Sequence, residues 1–293
     1  MKNHVCVYGL LLVMAAGERL SAQVVLGGTN YVQNFDGISS GLPPGWSVRT
    51  NATAVALGSQ PVFTTNATSW SGTSGQFANY ASTLNSGTNF LGTETSAIQG
   101  ACTNRCLAMR QTGTFGDPGA AFVLQLQNTL GFRNFQLNVD LNMLSVQTRS
   151  NAWVIDYGFG NAPSAFIPVW TNADPGVFGA MNRSISFGSA LDDRGQAVWI
   201  RVVALEPAAG SGSRDTFGLD NFKLSFEPAA ALSPIPLTIR LSGTNAILAW
   251  TNAAFGLQSA SSIDGSFTDV SGALSPYTNS ISETQKYFRL KAH

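Results

Sequence analysis

The stretch FQLNVDLNML, residues 135–144, alternates apolar and polar side chains from Phe135 to Met143. Successive side chains of a β-strand point to opposite faces of the sheet, so the pattern predicts a strand with one packed face and one polar face. The side chains predicted to face inward are Leu137, Val139, Leu141 and Met143. The side chains predicted to face outward are Asn138, Asp140 and Asn142.

The same alternation recurs in AAFVLQLQN (120–128), AWVIDYGFG (152–160) and FGLDNFKLSF (217–226), with Gly, Asn, Pro and Ser between the segments. Helical periodicity is nearly absent, and many short alternating segments of this kind predict an all-β chain of packed sheets. The stretch AVWIRVVAL (197–205) leaves two possibilities open. Either Trp199 and Arg201 face outward, or Trp199 lies in a core of a sheet that is buried on both faces.

The first 22 residues are typical of a signal peptide. Lys2 supplies a positive charge, an apolar run covers residues 5–17, and LSA ends at Ala22. The run is too short to span a bilayer comfortably, and no later segment is long and apolar enough to do so. We therefore expect a protein that is secreted or held at the cell surface and is not an integral membrane protein.

The charge composition limits the partners. Charged residues make up 11% of the chain, against about 25% in an ordinary soluble domain, and the net charge is zero. No basic stripe is present to neutralise phosphates, so we expect neither nucleic acid nor an anionic membrane surface as a partner. The composition leaves the oligomeric state undetermined.

Two cysteines, Cys102 and Cys106, follow the predicted signal peptide. A pair of cysteines in an exported chain predicts a disulfide, here one that closes a very small loop and adds little chain-entropy stabilisation. The alternative is a metal site, but two thiolates without two further ligands make a poor zinc site.

Four segments resemble secreted bacterial jelly-roll modules of the carbohydrate-binding kind: YVQNFDGISSGLPPGW (31–46), NRCLAMRQTG (104–113), LQLQNTLGFRNFQLNVDL (124–141) and RDTFGLDNFKLSF (214–226). Near the C-terminus, ILAW (247–250), LQSASSIDGSFTDV (257–270) and YFRLK (287–291) resemble a small β domain found at the ends of secreted proteins of environmental bacteria. The resemblance implies a jelly-roll β-sandwich over residues 23–228, a linker over 229–235, and a small β-sandwich-like domain over 236–293. Such resemblance concerns the fold and does not establish function.

The resemblance also implies a structural calcium ion. In carbohydrate-binding jelly rolls an acid from the first strand and one from the last can share Ca²⁺, and Asp36 and Asp220 occupy the matching positions. The alternative is that Asp220 caps a turn or accepts from backbone amides.

Few kinds of catalysis fit the sequence. The two histidines are His4, within the predicted signal peptide, and His293, the last residue, so we expect no histidine-dependent triad or general base in the folded mature protein. Neither a phosphate loop nor a dinucleotide fingerprint occurs. A carboxylate pair of the glycosidase type, Asp140 with Asp156, is a distant alternative to two solvated acids.

A binding function would use Asp140 and Asp156 together with other polar residues. If Trp199 and Arg201 face outward, an aromatic ring for stacking joins amides and carboxylates that can bond sugar hydroxyls. The ligand-binding residues predicted to share this surface are Trp199, Arg201, Asn138, Asp140, Asn142, Asp156 and Gln125. The sequence thus predicts a secreted, non-catalytic module that binds a polysaccharide or cell-surface glycan. The alternative is a structural or adhesion scaffold without a small ligand.

Overall fold

The computed structural model describes residues 22–82, 94–172, 180–229, 234–282 and 285–292. The predicted signal peptide therefore lies outside the described residues except for its last position. The chain divides into two compact units, residues 1–229 and 230–293. Both are built of strands, which confirms the predicted all-β class. Within the described ranges, no helix has the length and apolar character needed to cross a membrane.

Within the described residues, the first unit contains twelve strands, one short α-helix, α1 (Ser96–Ala101), and one 3-10 helix, Ile38–Ser40. In chain order the strands are β1 (Asn30–Gln33), β2 (Trp46–Arg49), β3 (Phe63–Thr68), β4 (Gln76–Ala81), β5 (Arg105–Arg110), β6 (Ala121–Leu126), β7 (Phe132–Ser145), β8 (Val154–Phe159), β9 (Ile167–Thr171), β10 (Ala180–Ser186), β11 (Val198–Val203) and β12 (Thr216–Pro228).

These strands form two sheets that pack as a β-sandwich of the predicted jelly-roll type. One sheet has seven strands in the order β10-β7-β12-β5-β4-β3, and β1 pairs with β12. The other has five strands in the order β2-β6-β11-β8-β9. Between the described strands of this unit, every pairing is antiparallel except that of β3 with β4.

Aromatic rings from both sheets fill the space between them. Trp153 stacks on Phe217 with ring centroids 3.8 Å apart and planes 10° from parallel. Phe122 of the five-stranded sheet lies 5.9 Å from Phe217 and 5.5 Å from Phe77, both of the seven-stranded sheet. Because each of these rings is at most 1% exposed, they join the two sheets into one core.

The stretch FGLDNFKLSF lies in β12 and contains a β-bulge between Asp220 and Lys223. Phe217 and Leu219 point into the core, and Asp220 points to the outer face of the sheet. Asn221 takes a left-handed conformation with φ of +47°, after which Phe222 returns to the core. The bulge adds one residue to the strand, so that Asp220 and Lys223 face outward on either side of it.

The described strands of the second unit are β13 (Thr238–Ser242), β14 (Asn245–Ala249), β15 (Phe255–Ala260), β16 (Thr268–Asp269), β17 (Tyr277–Ser280) and β18 (Tyr287–Ala292). They form two three-stranded sheets, in the orders β13-β14-β17 and β16-β15-β18. The core of this unit holds Leu248, Trp250, Phe255 and Leu257, and the Trp250 indole donates to the Phe255 carbonyl oxygen at 3.0 Å.

The stacked Trp153–Phe217 pair gives a test of the core. We expect Phe217→Ala to lower the free energy of unfolding by about 3–5 kcal/mol, because it removes a buried ring and leaves a cavity beside Trp153. Urea denaturation followed by tryptophan fluorescence measures the loss. Val32→Ala, at a side chain that is 55% exposed on the neighbouring strand β1, is the control and is expected to cost under about 0.5 kcal/mol. Equal losses in the two variants would contradict the packing described.

Candidate functional site

The seven residues predicted to form one binding surface lie on two different sheets. Strands β6, β8 and β11 of the five-stranded sheet carry Gln125, Asp156, Trp199 and Arg201. Strand β7 of the seven-stranded sheet carries the other three, Asn138, Asp140 and Asn142.

The predicted alternation itself is correct in both sheets. Val198, Ile200 and Val202 of β11 are part of the core between the sheets, as are Leu137, Val139 and Leu141 of β7. The predicted polar residues therefore face away from this core on opposite sides of the sandwich. The prediction of a single surface is wrong, because alternation fixes the face of a strand but not the sheet to which the strand belongs.

On the five-stranded sheet, the segment around residues 52–56 and the ring of Phe166 cover Arg201. The guanidinium is fully buried and pairs with Asp156 at 2.8 and 2.7 Å. It also donates to the carbonyl oxygens of Thr53 and Ala56, and its Cζ lies 3.3 Å from the centre of the Phe166 ring. Burial raises the pKa of Asp156, and the bonds from Arg201 oppose that shift. A ligand has no access to this ion pair, which has a structural role.

Trp199 is likewise not available for stacking on a sugar. It is 5% exposed, and its indole donates to the Gly160 carbonyl oxygen at 2.7 Å. It belongs to a small apolar cluster on the outer face of the five-stranded sheet, together with Val123, Val203 and Phe166. The predicted aromatic platform is therefore wrong, because covering residues that are distant in sequence enclose Trp199.

The predicted carboxylate pair is also not formed. Asp140 is on β7 and Asp156 on β8, and these strands belong to different sheets with the aromatic core between them. Asp156 is engaged by Arg201, while Asp140 accepts from two side-chain amides. The two acids cannot act on one glycosidic bond, which requires carboxyl groups roughly 5–10 Å apart.

The outer face of the seven-stranded sheet carries three rows of polar side chains across β10, β7 and β12. Residues directly opposite each other in antiparallel strands share a face, and the register therefore puts each row on one side of the sheet. We call this surface the amide face. Its rows are Ser186–Gln136–Ser225, Ser184–Asn138–Lys223 and Asn182–Asp140–Asp220.

One end of the amide face is an open groove with a volume of about 490 Å³, lined in part by Gln136, Asn138, Ser186 and Ser225. Gln136 is exposed and Asn138 is half-buried. Within the described part of the chain, the side-chain amides of these two residues make no hydrogen bond, so each offers an acceptor oxygen and two N–H donors to solvent.

The other end of the amide face is a hydrogen-bond network around two facing acids that are themselves buried, Asp140 and Asp220. Asp140 accepts from Asn182 Nδ2 at 2.6 Å and from Asn221 Nδ2 at 2.8 Å. Asp220 accepts from Ser82 Oγ at 2.5 Å and from its neighbour's backbone N–H at 2.7 Å. Burial raises the pKa of Asp220 to about 7, and the Asp140 carboxylate opposite it adds to the shift.

Sequence reasoning missed Asn182, Ser82 and Asn221, which complete this network. For Asn182 a signal was present, since MNRSIS (181–186) alternates polar Asn182, Ser184 and Ser186 with other residues as a strand does. For Ser82 no local pattern could have shown a contact with a residue 138 positions away.

The predicted calcium ligands have other partners. Asp36 accepts from Asn34 Nδ2 at 2.7 Å and from the Arg105 backbone N–H at 2.9 Å, and Asp220 is held by the donors given above. In the part of the chain that the structure describes, no group of three or more Asp, Glu, His or Cys side chains is placed to hold a metal ion. Both acids accept hydrogen bonds within the protein, and calcium at Asp36 and Asp220 stays a prediction.

The predicted disulfide is not formed, and Cys102 and Cys106 are free thiols. Each donates to a different carbonyl oxygen, Cys102 to that of Asn104 at 3.3 Å and Cys106 to that of Ala81 at 3.6 Å. Cys106 is fully buried against Gly218, whose lack of a side chain leaves room for the sulfur. The sequence separation of the two cysteines allowed a disulfide. In the structure, however, their sulfurs are held by different carbonyl oxygens.

Comparison with known proteins assigns the chain to no family. No family model and no curated protein matches the chain. Among solved structures, a Stig cyclase from Fischerella sp. TAU is 14% identical, with 68% of this chain and 90% of that chain covered and a TM-score of 0.40. The K1 cleaved adhesin domain of Lys-gingipain from Porphyromonas gingivalis W83 is 12% identical, with coverages of 70% and 100% and a TM-score of 0.38.

A third similar structure is the C-terminal family 22 carbohydrate binding module of Clostridium thermocellum Xyn10B, at 9% identity. It covers 70% of this chain and 98% of its own, with a TM-score of 0.37. At such low identities and TM-scores, these likenesses do not identify what the chain binds.

The raised pKa of Asp220 predicts a pH-dependent stability. Its folded value of about 7 lies above the value of about 3.9 for an unfolded aspartate, so the folded state holds the proton more tightly between these pH values. The stabilisation is fully present below about pH 4 and is lost as pH rises through about 7, and it amounts to a few kcal/mol. Urea denaturation from pH 4 to 8 measures it.

Asp220→Asn should remove most of this slope and leave the variant more stable than the wild type at pH 8. Glu206→Gln, at an exposed acid, is the control and should keep the wild-type profile. A slope unchanged by Asp220→Asn would show that other groups cause it.

The free thiols can be tested by labelling. In the folded, unreduced protein we expect a maleimide to modify half-buried Cys102 quickly and Cys106 only slowly, because Cys106 is fully buried and burial raises the pKa of its thiol. After denaturation without a reductant, both should react completely, as shown by peptide mass spectrometry. If neither thiol reacted in the denatured protein, the result would contradict the free thiols and support the predicted disulfide.

Proposed function

We propose that the first unit is a non-catalytic binding module that holds a polysaccharide or another hydroxyl-rich polymer along the amide face. The observation that carries the proposal is the pair of unbonded amides, Gln136 and Asn138, in an open groove. A primary amide presents an acceptor and two donors in one plane, which suits adjacent hydroxyl groups of a sugar. The serine hydroxyls on either side, Ser186 and Ser225, extend the same pattern across three strands.

The rigidity of the sheet supports this role. The groove is built on paired strands rather than on mobile loops, so its amides are held in register before a ligand arrives. Asn134 donates to the Glu227 carboxylate at 2.7 Å and links β7 to β12 at the end of the groove. A preorganised polar groove loses little side-chain entropy on binding.

The positions of the acids favour binding without catalysis. Asp140 and Asp156 face away from each other on opposite sides of the sandwich, and each is held by donors within the protein. The proposal includes a location outside the cell, which rests on the signal-like residues 1–22.

The test is binding of the full mature chain to a panel of polysaccharides by affinity electrophoresis and pull-down. The double variant Gln136→Ala/Asn138→Ala should weaken binding about tenfold or more, since each lost hydrogen bond is worth about 1 kcal/mol. Gln127→Ala, an exposed glutamine after β6 on the other sheet, is the matched control and should bind like the wild type.

Trp199→Phe distinguishes the amide face from the aromatic platform suggested by the sequence. It keeps an aromatic ring in the buried cluster, and we expect wild-type binding. Binding that is lost in Trp199→Phe but kept in the double variant would overturn the proposal. A failure of the wild type to bind any polysaccharide would favour the adhesion scaffold.

A further inference from the structure

A small pocket of about 180 Å³ lies at the end of β5, lined in part by Arg110, Arg214, Thr73, Thr112 and Ser213. The groove of the amide face, by contrast, borders the opposite end of β12, around Ser225. The function proposed above uses none of the residues of this pocket.

Arg110 is 95% buried, since its exposed fraction is 5%. Its guanidinium makes one hydrogen bond within the described residues, from Nη1 to the Thr216 hydroxyl at 3.2 Å. A guanidinium has five N–H donors, so four lack a protein acceptor. A buried cation without a bonded carboxylate is costly, and it is normally paired with an anion.

Arg214 lines the same pocket and also uses one donor within the described part of the protein. Its Nε–H binds Asp117, which Arg149 approaches at 3.8 Å. Although burial opposes ionisation of Asp117, the Ala208 N–H and Arg214 outweigh it and lower its pKa. Asp117 is therefore a charged partner for one edge of Arg214, and the remaining donors of that guanidinium are available.

The local charge is positive. Three arginines, Arg110, Arg149 and Arg214, stand near two carboxylates, Asp117 and Asp215, which leaves one positive charge. Asp215 acts on Arg110 at a distance, but its own oxygens accept from the Gln147 N–H and the Ser150 hydroxyl. The cluster therefore has one more positive than negative charge. Arg110 and Arg214, which line the pocket, keep N–H donors without a protein acceptor among the described residues.

We propose that this pocket binds a small oxyanion, a carboxylate or sulfate group, held by Arg110 and Arg214 with help from the hydroxyls of Thr73, Thr112 and Ser213. Within the described chain these three hydroxyls make no hydrogen bond, so they are free to donate. Two planar guanidinium forks and a set of hydroxyls match the geometry of an oxyanion.

The oxyanion can be a free ion or a charged group on a polysaccharide. Arg110 lies opposite Thr216, while the groove of the amide face borders Ser225 on the same strand, nine positions away. At about 3.3 Å per residue this separation is about 30 Å, which a chain of several sugar units can span. The test therefore includes both sources.

The first measurement is thermal melting of the full chain in sodium sulfate and in sodium chloride at equal ionic strength. Sulfate at about a hundred times its Kd should raise the Tm of the wild type by about 5 °C or more. Arg110→Met should show no rise, and in chloride it should melt no lower than the wild type, because it removes an unpaired buried charge. Arg133→Met, at an exposed arginine, should respond as the wild type does.

A second variant covers the case in which Arg110→Met fails to fold. Ser213 is exposed in a loop, and Ser213→Glu places a negative charge at the pocket without removing a buried group. It should abolish the sulfate response, whereas Ser211→Glu, two positions away in the same loop and outside the pocket lining, should keep it. A wild type that melts alike in the two salts, or a Ser213→Glu variant that responds fully, would overturn the proposal.

Competition then identifies the source of the anion. Galacturonate and polygalacturonate are compared with galactan, a neutral polymer, for displacement of ³⁵S-sulfate. Displacement by the monomer and the polymer at equal carboxylate concentration indicates a free-ion site, and stronger displacement by the polymer indicates an acidic polysaccharide. Displacement by neutral galactan at the same concentration would contradict the oxyanion site.

Gln136→Ala/Asn138→Ala should leave the sulfate response intact, which separates failure of this proposal from failure of the amide face.

Discussion

The pairing of β7 and β12, the two longest of the described strands, is the interaction on which the first unit depends. Their register decides which side chains enter the aromatic core and which form the amide face. The bulge at Asp220–Lys223 shifts that register by one residue and keeps Phe222 and Leu224 inside. Without the extra residue, every side chain beyond the bulge would point to the wrong face, because the side-chain period of a strand is two.

This pairing also explains the aspartate in the middle of a core strand. Asp220 faces outward, yet other residues cover it, and a buried carboxylate needs either a partner or a proton. The Ser82 hydroxyl and the Asn221 N–H supply two bonds, and the raised pKa supplies the proton near neutral pH. The bulge therefore keeps Phe222 in the core and also positions Asn221. The side-chain amide of Asn221 donates to Asp140.

Buried charge is balanced in different ways at three places in the first unit. Arg201 and Asp156 neutralise each other in a closed ion pair, where removal of either partner would leave an unpaired charge. Asp220 is balanced by hydrogen bonds and protonation. Arg110 has neither a bonded carboxylate nor enough acceptors, and this difference distinguishes a structural arginine from one that is suited to bind a ligand.

The sequence by itself determined the all-β class and the alternation along individual strands, because a period of two is a local property of the chain. It therefore predicted correctly that Leu137 is a core residue and that Asp140 faces away from the core. For β11 it left two possibilities open, and the structure has the one in which Trp199 is buried in a sheet covered on both faces. Only the tertiary structure decided which strands are neighbours, and it put Asp140 and Arg201 on opposite sheets. It also decided which outward faces are covered, as Thr53 and Phe166 cover Arg201 and Ser82 meets Asp220. These contacts join residues dozens of positions or more apart, and no local pattern records such pairings, since their energy arises only when the sheets close on each other.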